Sequence, residues 1–144
     1  MTRIALPASI ETAPAAAQPL LEDVKKLLGS VPNLFRITAN SAAALEGYLG
    51  LNGALAKGSL DARTRERIAL AVAQINGCDY CLAAHTYLGT HVAKLDEAEI
   101  AANRAGQSQD EKAQAALRFA VALVNDRGRV SDADVSAVKA AGYS

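Results

Sequence analysis

The sequence predicts an all-α protein, and three observations carry that expectation. About half of the 144 residues are apolar, but alanine supplies much of that share and aromatics only 4%; alanine is the strongest helix former. Apolar residues recur at three- and four-residue intervals, without the period-2 alternation of half-buried strands. Short polar residues (Asp61, Asp96, Ser131) stand just ahead of such runs and glycines follow them (Gly29, Gly106, Gly142), the order in which helix caps occur. A chain of this length can bury a core as one domain, and no repeat, linker or low-complexity segment divides it.

Residues 1–18 mix Pro, Ala and Ser without period and are expected to form an extended arm ahead of a domain spanning 19–144. Leu20, Leu21, Val24, Leu27 and Leu28 then give a helix closed by Gly29. Ser30-Val31-Pro32-Asn33 reads as a turn, beyond which Leu34 and Phe35 should plug the core. Asn40 or Ser41 caps a helix carrying Leu45, Tyr48, Leu49 and Leu55 and stopping near Gly58. Its Gly47, Gly50 and Gly53 each cost roughly 1 kcal/mol against alanine, so either another backbone comes close there or the helix is weak.

Asp61 caps the next helix. Arg63, Arg65 and Arg67 mark its exposed beginning, and 68–75 is almost wholly apolar, as in a buried central helix. Asn76-Gly77 breaks it, and another helix starts at or just after Cys78, with Leu82 and Leu88 inward and Gly89 closing it. Asp96-x-x-Glu99 and Ser108-x-x-Glu111 each resemble a capping box. The first opens a short helix to Gly106. The second opens a longer one to Gly128 with Ala113, Ala116, Leu117, Ala120, Val121 and Val124 on one face. Ser131 caps the last, with Val135 and Val138 inward. Tyr143-Ser144 follow Gly142 where another helix could be capped, so the domain is expected to lack a C-terminal helix.

The 15 basic and 15 acidic side chains balance, which argues against nucleic acid and anionic membrane as partners. No apolar run approaches the ~20 residues of a transmembrane helix, and the N-terminus lacks the basic start and apolar core of a signal peptide. A cytoplasmic location is expected. In that reducing compartment a Cys-x-x-Cys serves catalysis or metal binding more often than structure.

Function concentrates in 66–88, ERIALAVAQINGCDYCLAAHTYL, which holds both cysteines of the chain, Cys78 and Cys81. On a helix Cys78 and Cys81 are i,i+3 neighbours and Cys81 and His85 are i,i+4 neighbours, so the three form one cluster. A helix start at Cys78 brings unpaired N–H groups to the sulfurs and favours thiolate. Paired thiols can also close a disulfide reversibly. Glu66 joins the cluster only if the Asn76-Gly77 break folds its helix back. Each residue has a plainer reading: cysteines as small core hydrophobes, His85 bonded to a backbone group, Glu66 as a solvated first-turn carboxylate. His91 reads as a surface residue, and Tyr80 and Tyr87 as packing. Zinc is the competing chemistry, but Cys78, Cys81 and His85 make three ligands where a structural site wants four.

Glu66 followed by Cys78-x-x-Cys81-x-x-x-His85 resembles the signature of the alkylhydroperoxidase D-like proteins of the carboxymuconolactone decarboxylase superfamily. Val31-Pro32-Asn33-Leu34-Phe35-Arg36 and the run from Gly53 to Gly58 are similar to its peroxidase-related branch. The resemblance covers roughly residues 20–144. It implies an all-helical bundle, thiol peroxidase activity on organic hydroperoxides or hydrogen peroxide, and trimers or hexamers built from them. By position, Cys81 would be the peroxidatic cysteine, Cys78 its resolving partner in a Cys78–Cys81 disulfide, and Glu66 and His85 a proton relay. The partners implied are an external thiol reductant (a thioredoxin-like or lipoyl protein) or a peroxiredoxin; no cofactor or metal is called for. Some members place a histidine directly before the second cysteine, where this chain has Tyr80, a poorer base near neutral pH. The alternatives are a Cys-x-x-Cys disulfide reductase, a zinc or thiol-sensor module, and a decarboxylase-type lyase, whose members typically lack the cysteine pair.

Overall fold

The computed structural model describes residues 3–144. Among them are eight α-helices and no strand, the all-α class expected. The chain forms two compact units, with the boundary between Gly58 and Ser59. That boundary lies inside the 19–144 stretch read from the sequence as one domain. The step across it is only a short run of turns and bends, residues 56–60, too brief to register as a change in composition.

The first unit holds α1 (Gln18–Leu28), α2 (Asn33–Thr38) and α3 (Ala42–Leu55). Residues 10–17 are not an extended arm. Ala15–Ala17 form a 3-10 turn that runs straight into α1, and Ala13 and Ala17 are buried with Leu21, Ala39 and Leu45. Alanine is small enough for this segment to lie flat on the helices, and side chains meet its carbonyls. Gln18 Nε2 donates to Ala13 O at 3.0 Å, Arg36 Nε to Pro7 O at 2.7 Å and Asn40 Nδ2 to Ala5 O at 2.7 Å. Met1 and Thr2 fall outside the described residues.

Gly29, at φ 74°, ends α1 as expected, but only Leu21 and Val24 of its apolar stripe are buried; Leu27 and Leu28 lie outside. The segment after Pro32 is itself a helix, and of the two residues expected to plug the core Phe35 packs there while Leu34 is exposed. Ser41 caps α3, its hydroxyl accepting from Ala44 N. A Cβ at Gly47, Gly50 or Gly53 would meet nothing within 4 Å, so the glycines make α3 a weak helix with no backbone pressed against it.

The second unit holds α4 (Ala62–Ile75), α5 (Asp79–His91), α6 (Glu97–Arg104), α7 (Glu111–Asn125) and α8 (Asp132–Ala140). Helix α4 is its centre, packing against α5, α6 and α7. Leu70, Ala73, Leu82, Ala93, Leu95 and Ile100 form the core. Gly89 does not close α5. It sits buried inside the helix against Leu95 and Ile100, where a small residue lets the following turn approach, and the chain reverses at Lys94, φ 56°. Asp110, not Ser108, caps α7, accepting from Ala113 N at 2.9 Å, while the Ser108 hydroxyl donates to Glu99 and accepts from Asp110 N. Ser131 and Asp134 make a complete capping box on α8. Among the described residues no helix is long and apolar enough to cross a membrane.

Candidate active site

The site is built by the reversal between α4 and α5. Asp61 starts α4, accepting from both Thr64 N and Thr64 Oγ1 at 2.9 Å. The Thr64 N–H bond is the main reason its carboxyl lies below the usual range. No residue of α4 has a positive φ; the backbone demand comes just beyond it at Gly77, φ 61°. There the left-handed turn lets Cys78 N reach back to Ala73 O at 3.0 Å, and α5 leaves alongside α4. Residues at comparable distances from such a turn meet across the helix pair.

Glu66 and His85 are one such pair: His85 Nδ1 lies 2.8 Å from Glu66 Oε2, with the side chains 32% and 19% exposed. The tertiary contact that the sequence made conditional on the Asn76-Gly77 break is therefore present. A carboxylate can only accept, so this bond places a proton on Nδ1, and in the neutral ring the lone pair is then on Nε2.

Cys78 is the N-cap of α5, its sulfur taking the place of the usual serine or aspartate oxygen and accepting from Cys81 N at 3.2 Å. Cys78 and Cys81 are joined in a disulfide with a Cα–Cα distance of 5.2 Å. Both are half-buried; Cys81 packs against the core of the second unit. The pair thus has one sulfur against backbone N–H and one against apolar side chains. His85 follows Cys81 by one turn on the same helix.

Tyr80 and Tyr87 are surface residues, 50% and 63% exposed, not the packing residues the sequence suggested. Tyr87 stacks on His91, centroids 4.5 Å apart, and His91 is exposed as expected. Among the described residues no three His, Cys, Asp or Glu side chains are grouped to hold a metal ion.

Sequence reasoning missed a buried polar cluster on the other side of α4. Arg67, read as exposed, is 6% exposed and its Nε donates to Glu99 Oε1 at 2.8 Å. Asn103 Nδ2, Ser108 Oγ and Gln109 N donate to the same carboxylate. Burial alone would raise the Glu99 pKa; the bonds from Ser108, Gln109 N–H, Asn103 and Arg67 outweigh it and bring it from 4.5 down to about 2. Glu99 therefore does not complete the capping box expected with Asp96: Asp96 accepts from Glu99 N, but the Glu99 side chain turns inward. One signal was available. Arg67 stands three and four residues before Leu70 and Ala71, on the stripe that α4 buries.

Residues 42–123 match the Carboxymuconolactone decarboxylase family. A peroxidase-related protein from Silicibacter sp. TM1040 shares the fold with a TM-score of 0.80 at 23% identity, covering 100% of this chain and 80% of its own. A structure from Ralstonia eutropha JMP134, described as an alkylhydroperoxidase AhpD core and an uncharacterized peroxidase-related protein, gives a TM-score of 0.82 at 25% identity, covering 99% and 76%. An uncharacterized protein of Haemophilus influenzae is 52% identical over 42 residues, 28% of this chain, and the match spans little more than a third (37%) of that protein.

Proposed function

This chain belongs to the carboxymuconolactone decarboxylase family, and from that premise we propose that it is a thiol-dependent peroxidase working through the Cys78–Cys81 pair. The observation that carries the reading is the combination of a closed cysteine pair at the start of α5 with a Glu66–His85 hydrogen bond one turn beyond. In the reduced protein the Cys81 thiolate attacks the peroxide oxygen, the O–O bond breaks, and alcohol leaves with a proton. Cys81 is then a sulfenic acid. The Cys78 thiolate attacks its sulfur, expels water and closes the disulfide. The balance is one hydroperoxide and two thiols giving one alcohol, one water and one disulfide. An external dithiol, of a thioredoxin-like or lipoyl protein, returns the pair to thiols and is itself oxidised to a disulfide; a peroxiredoxin partner instead takes electrons from the reduced pair.

Unperturbed thiol is only a few per cent ionised near neutral pH, so a base is needed, and His85 Nε2 is the free lone pair of the Glu66–His85 couple. Cys78 plays its part as leaving group when the disulfide is reduced, since the N–H of Cys81 points at its sulfur. That same contact favours the reverse assignment, with the Cys78 thiolate attacking the peroxide. The two are separated by treating reduced Cys78→Ser and Cys81→Ser proteins with one equivalent of cumene hydroperoxide and a sulfenic-acid trap. The adduct belongs on Cys81 in the first; an adduct only on Cys78 in the second reverses the roles, and none in either removes the peroxidase reading. Leu27, Leu51 and Leu55, all more than half exposed, support a homo-oligomer, a trimer or hexamer, and the reducible pair fits a cytoplasmic setting.

A further inference from the structure

A second cluster of charged side chains in the molecule lines a cavity. In the second unit a cavity of about 390 Å³ opens beside the starts of α4 and α7, lined by Asp61, Arg63, Arg67, Asp110, Lys112 and Tyr143 among others. None of Glu66, Cys78, Cys81 or His85 lines it.

Arg67 sets its chemistry. The residue is more than nine-tenths buried and spends Nε on Glu99. Its Nη1 stands 3.9 Å from Asp110 Oδ2, beyond hydrogen-bond reach. Among the described residues no hydrogen bond uses either Nη, so the outer edge of the guanidinium is open to an acceptor in the cavity. Arg63 lies one turn earlier on α4, and Lys112 comes from α7, its Nζ 5.1 Å from the Tyr143 ring centroid. Neither is ion-paired among the described residues. Opposing them, Asp61 and Asp110 are both engaged as helix caps, by Thr64 N and Ala113 N.

We propose that this cavity binds a small monocarboxylate. The planar carboxylate accepts from the Nη edge of Arg67, the fork geometry that guanidinium fits best, while Arg63 and Lys112 meet its charge. With Glu99 matched to Arg67, the two cations Arg63 and Lys112 stand against Asp61 and Asp110, so the lining has no excess positive charge for a dianion, and a single carboxylate is held by the Arg67 edge. The volume takes a compact organic acid.

The test is a nitrogen–proton correlation titration of the full chain with propionate, its neutral isostere propionamide, and inorganic phosphate. Propionate should give saturable shifts at the Thr64 and Ala113 amides and at Arg67 Nε–H, and propionamide none. Arg67→Ala would strand Glu99 and unfold the unit, so the variants are at exposed Arg63 and Lys112. The double substitution Arg63→Ala, Lys112→Ala should weaken propionate about tenfold. Absence of saturable shifts, an equal response to propionamide, indifference to the double substitution, or binding of phosphate in place of propionate would each overturn the proposal.

Discussion

Replacing Glu99 by glutamine tests how α4, the helix that presents Glu66, is held. The carboxylate takes donors from Arg67, Asn103, Ser108 and the Gln109 N–H, which bring its pKa down from 4.5 to about 2. A shift of that size corresponds to roughly 3 kcal/mol favouring the ionised native form. Because the native pKa is the lower one, this stability is fully present above the unfolded value of 4.5 and is lost as pH falls toward about 2. From pH 7 to pH 3 the loss through this group alone is about 2 kcal/mol, and by pH 2 about 3 kcal/mol. Glu99→Gln also leaves Arg67 buried without its partner, so at neutral pH it should cost about 3–5 kcal/mol. Urea unfolding followed by circular dichroism, on both proteins at neutral pH and near pH 3, reads the difference. The gap between them should narrow by about 2 kcal/mol at the lower pH. A gap that is the same at both would refute the account of this cluster.

Glu66→Gln and His85→Ala should each slow disulfide formation by peroxide, and the double mutant should be little slower than either single one, as for groups acting as a unit; stopped-flow thiol titration measures this, and fully additive losses would separate their roles. Gly77→Ala should lower stability by roughly 1–2 kcal/mol through backbone strain, since φ is 61° and a Cβ there would touch nothing within 4 Å; thermal unfolding checks it. Sedimentation at micromolar concentration should show an oligomer, because covering each exposed leucine is worth about 1.5–3 kcal/mol; a monomer would contradict the role given to Leu27, Leu51 and Leu55.

Most helices were legible because local signals decide them. Asp61, Asp96 and Ser131 cap where their spacing says, and Gly29 ends α1 as its position requires. The cysteine pair and His85 were legible for the same reason, since three residues within eight on one helix share a face without help from the rest of the fold. Glu66 was legible only conditionally, because its approach to His85 depends on the tertiary reversal at Gly77. Arg67 and Glu99 were misread because a charged side chain is read as solvated unless its partner is known, and the partner lies on another helix 32 residues away. Ser108 was misread with them: its hydroxyl donates to the buried Glu99 and accepts from Asp110 N, and the helix starts two residues later with Asp110 as its cap. The arm went unrecognised as packed because alanines bury without an apolar periodicity to announce it.

The central claim is that Cys81 turns over peroxide. It is tested most directly by following hydroperoxide consumption by the reduced chain in the presence of a dithiol reductant, comparing wild type with Cys81→Ser. Wild type should consume many equivalents of peroxide per chain, and Cys81→Ser none above the reductant alone. A Cys81→Ser protein that consumes peroxide at the wild-type rate would contradict it.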